Sequence, residues 1–318
     1  MTHTRLYRGA ELVEKDFPLT ELGERLAVPD SVAWVDIGHS DDGALATIGD
    51  ELGLHELALE DARQRRQRPK LDRYKTHLFL TVYGVSVDDE GALTNQEVSV
   101  FVTDRALVTV HDGFDMAAVA RRWDESPLNG DRVGVLLHAL LDIVVDSHLV
   151  AAAALDERIE SLDDVVFEER PDIRELQRHA VRLRHSLGAL RRAVLPMREV
   201  LSELPRDKTL VDGELDPYYA DVRDHAIHAA EWTDSLREHV IALRETQLNI
   251  QSNRLNLIMK KVTGWAAIIA IPTAITGFYG QNVPYPGSQE PWGFWMSSAT
   301  IVLLSGGLYL MFKRKDWL

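Results

Sequence analysis

The chain of 318 residues contains no cysteine. That excludes disulfide staples, thiolate zinc sites and cysteine nucleophiles, and it fits a protein whose bulk sits in a reducing compartment. A secretory leader is also missing: Met1 to Gly9 is polar with no apolar run behind it, so the N-terminus is expected to stay in the cytoplasm. There is no P-loop, no nucleotide-type glycine-rich turn, no His-Glu-x-x-His and no Gly-x-Ser-x-Gly, so an enzyme is not expected. Positive charge is in short supply, with 35 Lys and Arg against 50 Asp and Glu, a net charge of −15. Nucleic acid needs clustered Lys and Arg to replace phosphate counterions, so this balance points away from it and toward cations. By itself, a solvated acidic surface explains the charge as well.

Charge itself disappears near the C-terminus. No charged residue lies between Lys261 and Glu290, and Val262–Gly280 (VTGWAAIIAIPTAITGFYG) has about the length a helix needs to cross a hydrocarbon layer of ~30 Å. A second uncharged run, Pro291 to Phe312, opens with two tryptophans suited to an interface and ends in Lys313, Arg314 and Lys315. Lys260 and Lys261 precede the first run, while the connecting QNVPYPGSQEP has neither Lys nor Arg. Basic residues on the termini side of both runs predict a hairpin in the inner membrane with both termini cytoplasmic. Two helices cannot enclose a water-filled path, so conduction would require several copies around an axis.

The remainder reads as a soluble α+β part. The runs 31–37 (SVAWVDI), 77–87, 97–103 and 106–112 are β-branched and aromatic, with helical stretches between them. The last two predict a hairpin turning at Thr103–Asp104–Arg105. From Asn129 the pattern becomes helical, with an apolar stripe at Leu136, Leu137, Leu140, Leu141, Val144 and Val145. Pro171 opens a second helix that Pro205 closes. The acidic stretch Asp156, Glu157, Glu160, Asp163, Asp164, Glu168 and Glu169 is either a solvated face or a place where cations gather. From Tyr218 to Thr263 there is neither Gly nor Pro, which predicts one long stalk helix running directly into the first membrane span. Leu236, Val240, Leu243 and Ile250 keep a spacing near 3.5 residues, as packed parallel stalks need. QLNIQSNRLN (247–256) then crowds amides before the membrane, either as polar layers of a coiled coil or as a wet, neutral lining below a pore. The expected division is 1–128 α/β domain, 129–206 helical hairpin, 214–261 stalk, 262–280 first membrane helix, 281–291 outer loop, 292–312 second membrane helix and 313–318 basic tail.

Several motifs together resemble the CorA family of magnesium and cobalt transport proteins. They are FYGQN (278–282) closing a membrane helix, RLNLIMKK leading into it, the terminal KRKDWL, HELALEDARQRRQRPKLDRYKTHLFL (55–80), ERPDIRELQR and LPMREVL. The resemblance spans essentially the whole chain. It implies a homopentamer with a funnel-shaped cytoplasmic part, a pore lined by the first membrane helix, and Gly280, Gln281 and Asn282 at the positions of the family's Gly-Met-Asn selectivity motif. Gln281 stands where Met is usual and VPYPGSQEP lacks the common Met-Pro-Glu-Leu stretch, so the preference among Mg²⁺, Co²⁺ and Zn²⁺ stays open.

Mg²⁺ dehydrates reluctantly, so a ring of Asn282 carbonyls could hold the hydrated ion by accepting hydrogen bonds from its waters. The plainer role for Asn282 is a helix C-cap. Asn256, Met259, Val262, Ala266, Ala270, Thr273 and Gly277 fall at helical spacing and would present one face to an axis, with lipid or helix packing as the alternative. The resemblance implies that Met259 and Val262 form a hydrophobic gate. It further implies that Glu60, Asp61 and Glu245 bind regulatory Mg²⁺ between subunits, and that Asp221 and His225 form a second such site; surface acids and a solvated histidine are the plain alternatives. A membrane-anchored cation sensor or scaffold without conduction is the rival outside the transporter class.

Overall fold

Each of the four β-rich runs forms a strand, and three further strands join them. The computed structural model describes residues 2–9, 11–64, 67–125, 132–166, 173–207, 210–211, 213–281, 284, 287 and 290–317. The strands are β1 (Thr2–Arg8), β2 (Glu11–Lys15), β3 (Ser31–Gly38), β4 (Lys70–Arg73), β5 (Leu78–Val87), β6 (Leu93–Val102) and β7 (Ala106–His111). They build one seven-stranded sheet in the order β2-β1-β3-β7-β6-β5-β4. β6 and β7 are the antiparallel hairpin expected at 103–105, closed by the Thr103 amide donating to the Ala106 carbonyl at 2.9 Å. β3 and β7 pair in parallel, Ala33 opposite Ala106 through Gly38 opposite His111.

Alternation along these strands sends apolar side chains to both faces, which is why the sheet is buried on both. One face carries Trp34, Leu78, Leu80, Val82, Val98, Val100 and Leu107, and packs with residues of α4 (Met116–Asp124), α5 (Val133–Val166), α6 (Ile173–Glu203) and the start of α7 (Asp216–Tyr279). The other carries Val35, Ile37, Phe79, Phe101, Val108 and Val110, under α1 (Leu22–Leu26), α2 (Asp42–Leu52) and α3 (Glu56–Arg63). The result is a three-layer sandwich. The stripe Leu136 to Val145 is fully buried in the first core. At ~1.5–3 kcal/mol per large apolar side chain, those residues bind α5 firmly to the sheet.

Among the described residues three helices are long and apolar enough to cross a membrane: within α5, within α7, and α8 (Pro291–Arg314). Burial separates them. The most apolar window of α5 is 61% buried inside the protein, against 6% in α7 and 0% in α8. α5 is therefore a core helix, and the other two present their apolar surface outward.

The chain divides into two compact units, Met1–Ile241 and Ala242–Leu318. α7 is continuous over 64 residues with Pro272 inside it. α8 ends in a Schellman turn: the Trp317 amide donates to the Phe312 carbonyl at 3.0 Å and the Asp316 amide to the Lys313 carbonyl at 3.4 Å. Asp316 takes the left-handed conformation at φ 54°, and the Trp317 ring stacks on Phe312 with centroids 5.3 Å apart.

Candidate cation pathway and regulatory acids

α7 in the C-terminal unit shows faces of different character. Gly264, Ala267, Ile268, Ile271, Pro272, Ile275 and Tyr279 are the less exposed positions, at three- and four-residue steps. On the same helix Trp265 approaches Tyr309 of α8, with ring centroids 6.4 Å apart. The seven pore positions read from the sequence, Asn256, Met259, Val262, Ala266, Ala270, Thr273 and Gly277, are all exposed. Met259 and Val262 present 60% and 58% of their surface. Above them the stripe is small, whereas the other exposed positions include Trp265, Ile269 and Phe278. The Thr273 hydroxyl donates to the Ile269 carbonyl at 2.9 Å and so spends its proton on its own helix.

At the helix end the Gly280 amide donates to the Thr276 carbonyl at 2.8 Å and the Gln281 amide to the Phe278 carbonyl at 3.3 Å. Asn282 lies outside the described residues. Gly287 has φ 88°, and a Cβ added to Gly293 would stand 2.4 Å from the Gly287 oxygen, so the chain crosses the first turn of α8 only because both are glycine. At the other end Trp317 lines a hollow of about 590 Å³ with Asn253, Asn256, Met259 and Lys260. The terminal tryptophan thus meets the amide-rich segment, a neighbourhood no sequence pattern announced.

The acidic residues separate into groups. Glu60 and Asp61 end α3; the Glu60 carboxylate accepts from Gln64 at 3.0 Å, and Asp61 pairs with Lys70 Nζ at 2.5 Å. Lys70 also pairs with Asp72 at 2.6 Å. Burial works to lower the Lys70 pKa, but its hydrogen bonds to the two aspartates outweigh that and leave it raised. Glu245 is exposed on α7 in the other unit.

Asp221 and His225 lie one turn apart with His225 Nδ1 3.9 Å from the Asp221 carboxylate. The structure gives His225 two further neighbours, Asp142 and Asp146 of α5, and the potential ligand atoms of these three lie within 4.8 Å of one another. Arg122 now serves as their cation, pairing with Asp142 at 2.6 Å and Asp146 at 2.8 Å. Burial pushes the Asp142 pKa up against the pull of Arg122, so this carboxylate gains from any nearby positive charge. Sequence reading passed over Asp142 and Asp146. Their signal was two carboxylates four residues apart on an otherwise apolar helix.

A family model described as CorA-like Mg²⁺ transporter protein matches residues 29–314. The chain belongs to that family. Members of the CorA-like family are transporters, not enzymes. The cobalt/magnesium transport protein CorA of Thermotoga maritima is 31% identical over 314 residues, covering 96% of this chain and 89% of that protein. The zinc transport protein ZntB of Pectobacterium carotovorum is 25% identical over 272 residues, 79% of this chain and 77% of that one. Among solved structures, the complete CorA magnesium transporter from Methanocaldococcus jannaschii superposes with a TM-score of 0.81 at 19% identity, over 99% of this chain and 98% of that one. The CorA-like fold therefore extends through both units, and relatives under different metal names share it.

Proposed function

We propose that the chain is a subunit of a homo-oligomeric, pentameric divalent cation channel of the inner membrane that admits Mg²⁺ and Co²⁺ to the cytoplasm. α7 and α8 span the bilayer from a cytoplasmic N-terminus and return to a cytoplasmic C-terminus. The observation that carries this reading is the exposed stripe of small residues on α7, Ala266, Ala270, Thr273 and Gly277, continuous with Met259 and Val262 below and leading toward Gln281 above, which Asn282 follows in the sequence. Small side chains leave room for a hydrated ion, and uncharged ones let it pass without being trapped. Asn282 carbonyls in a ring would accept hydrogen bonds from the waters Mg²⁺ keeps. Apolar rings of Met259 and Val262 would close the path by dewetting.

Regulation follows from the acids outside the membrane. Glu60 and Asp61 of one subunit with Glu245 of its neighbour would take Mg²⁺, and the group around Asp221 and His225, extended by Asp142 and Asp146, would take a second ion. In a single chain Lys70 and Arg122 neutralise Asp61 and the Asp142–Asp146 pair. A divalent ion would displace these cations when internal Mg²⁺ is high and hold the closed ring together.

The test is uptake into liposomes containing only the purified protein, titrated separately with Mg²⁺, Co²⁺ and Zn²⁺. Mg²⁺ and Co²⁺ should enter. Entry of Zn²⁺ alone would assign the chain to the zinc reading that Gln281 and the ZntB relative favour. No flux of any ion would leave a sensor or scaffold.

A further inference from the structure

A cavity of about 950 Å³ lies in the first unit, and none of the acids proposed above as cation ligands lines it. Its place in the sheet is distinctive. β3 and β7 are the parallel pair, and His39 and Asp112, the residues that follow their carboxyl ends, both line the cavity. The pairing continues there, with the His39 amide donating to the His111 carbonyl at 2.9 Å. Open α/β sheets bind ligands in the crevice outside the carboxyl ends of parallel strands, because strand ends and the loops after them leave polar backbone and side chains converging there.

The floor is polar, unlike the apolar core of the same sheet face. Asn95, Glu97 and Ser99 alternate along β6 and so share one face, and Tyr83 of β5 sits opposite Glu97. Further along that face the sheet carries Phe79 and Phe101 in its core. There Asn95 is exposed and Glu97 half-buried, in place of the buried aromatics. The walls carry four arginines, Arg68 before β4, Arg191 and Arg192 on α6, and Arg237 on α7. Asp234 neutralises two of them, at 2.8 Å from Arg191 and 3.3 Å from Arg237. Arg68 and Arg192 have no ion pair among the described residues, while the acids on the floor, Glu97 and Asp112, have interactions of their own. In a chain of net charge −15, two guanidinium groups over one cavity with no ion pair among the described residues form a local positive spot.

The geometry points to a binding site for a phosphate-bearing organic anion of nucleotide size. Guanidinium forks match phosphate oxygens in pairs, and the polar floor can hydrogen-bond a sugar or base. The volume falls in the range of small-molecule sites, ~300–1,000 Å³. Of two phosphates on such a ligand, one would meet Arg192 and Arg191 and the other Arg68.

The test uses the full-length protein in detergent, freed of divalent ions and titrated calorimetrically with ATP at low salt. One ATP per chain should bind, inorganic triphosphate should displace it, and affinity should fall as salt rises. Arg192→Ala should weaken binding about tenfold, and Arg68→Ala with Arg192→Ala should abolish it. Both side chains are exposed, so the variants should melt at the wild-type temperature. Absence of binding at millimolar ATP, failure of triphosphate to compete, or a double variant that binds like wild type would each overturn the assignment.

Discussion

Two side chains illustrate how differently a polar group can serve this chain. In our proposal Asn282 acts through what it offers water. A ring of methyl groups cannot accept hydrogen bonds from a hydrated ion, so Asn282→Ala should cut Mg²⁺ flux at least tenfold while expression and assembly persist. Wild-type flux from a folded variant would remove the role. His148 is polar for the opposite reason. It is 1% exposed, its Nε2–H donates to the Tyr83 carbonyl at 2.8 Å, and Nδ1 has no partner among the described residues. Burial pushes its pKa down to about 4, with the bond to Tyr83 opposing, because a second N–H would point at nothing that accepts it. The unfolded chain takes up that proton near pH 6.5, so between pH 6.5 and 4 the unfolded state binds more protons. The stability from a neutral His148 is complete above pH 6.5 and declines as pH falls, by roughly 2 kcal/mol at pH 5. Denaturant midpoints of the full chain at pH 7.5 and 5 should differ more for wild type than for His148→Leu; equal differences would show that His148 is not the titrating group.

Helices and strands were legible in proportion to how strongly they bury. β3, β5, β6 and β7 are dense in Val, Phe and Leu, and the sequence announced each of them. β2 and β4 lie at the sheet edges with mostly polar side chains, Glu11–Lys15 and Lys70–Arg73, and no apolar run marked them. β1 was missed because only Leu6 and Tyr7, one toward each core, are apolar among its buried residues, the third being Thr4. Nothing local could reveal the parallel β3–β7 pairing, since three strands intervene in sequence. α5 was plain from its apolar stripe, the stalk part of α7 from the absence of Gly and Pro between Tyr218 and Thr263, and the ends of α7 and α8 from their missing charges. The proposed pore positions on α7 share a helical spacing visible in the sequence, whereas Asp142 and Asp146 meet His225 only through packing of separate helices. The proposed hairpin can be checked in the native cysteine-free background. Glu290→Cys should react with an impermeant maleimide on intact cells, and Asp316→Cys only after lysis. The reverse pattern would invert the topology.

In the proposed assembled channel, feedback would be a matter of differential affinity. Ions that bind the closed ring more tightly than the open one by a few kcal/mol in total shift the population decisively, and several interfaces can share that amount. Asp61→Asn combined with Glu245→Gln removes both ligands and like-charge repulsion. Flux through this variant should lose its dependence on internal Mg²⁺ between roughly micromolar and millimolar. Inhibition like that of wild type would reduce these acids to a solvated surface. The burial of α5 has a consequence for biosynthesis. To the insertion machinery, a window of mean hydropathy 1.8 is a stronger membrane signal than those of α7 or α8, at 1.4 and 1.5. Order of synthesis would keep it out of the bilayer: β7 ends at His111, so the strands of the sheet that packs on α5 leave the ribosome before Val133 emerges. A circular permutant translated from α5 onward would present that helix naked to the translocon. With α7 and α8 as the two spans of the proposed hairpin, it should gain a third, an odd number, and deliver the sheet to the other side of the membrane.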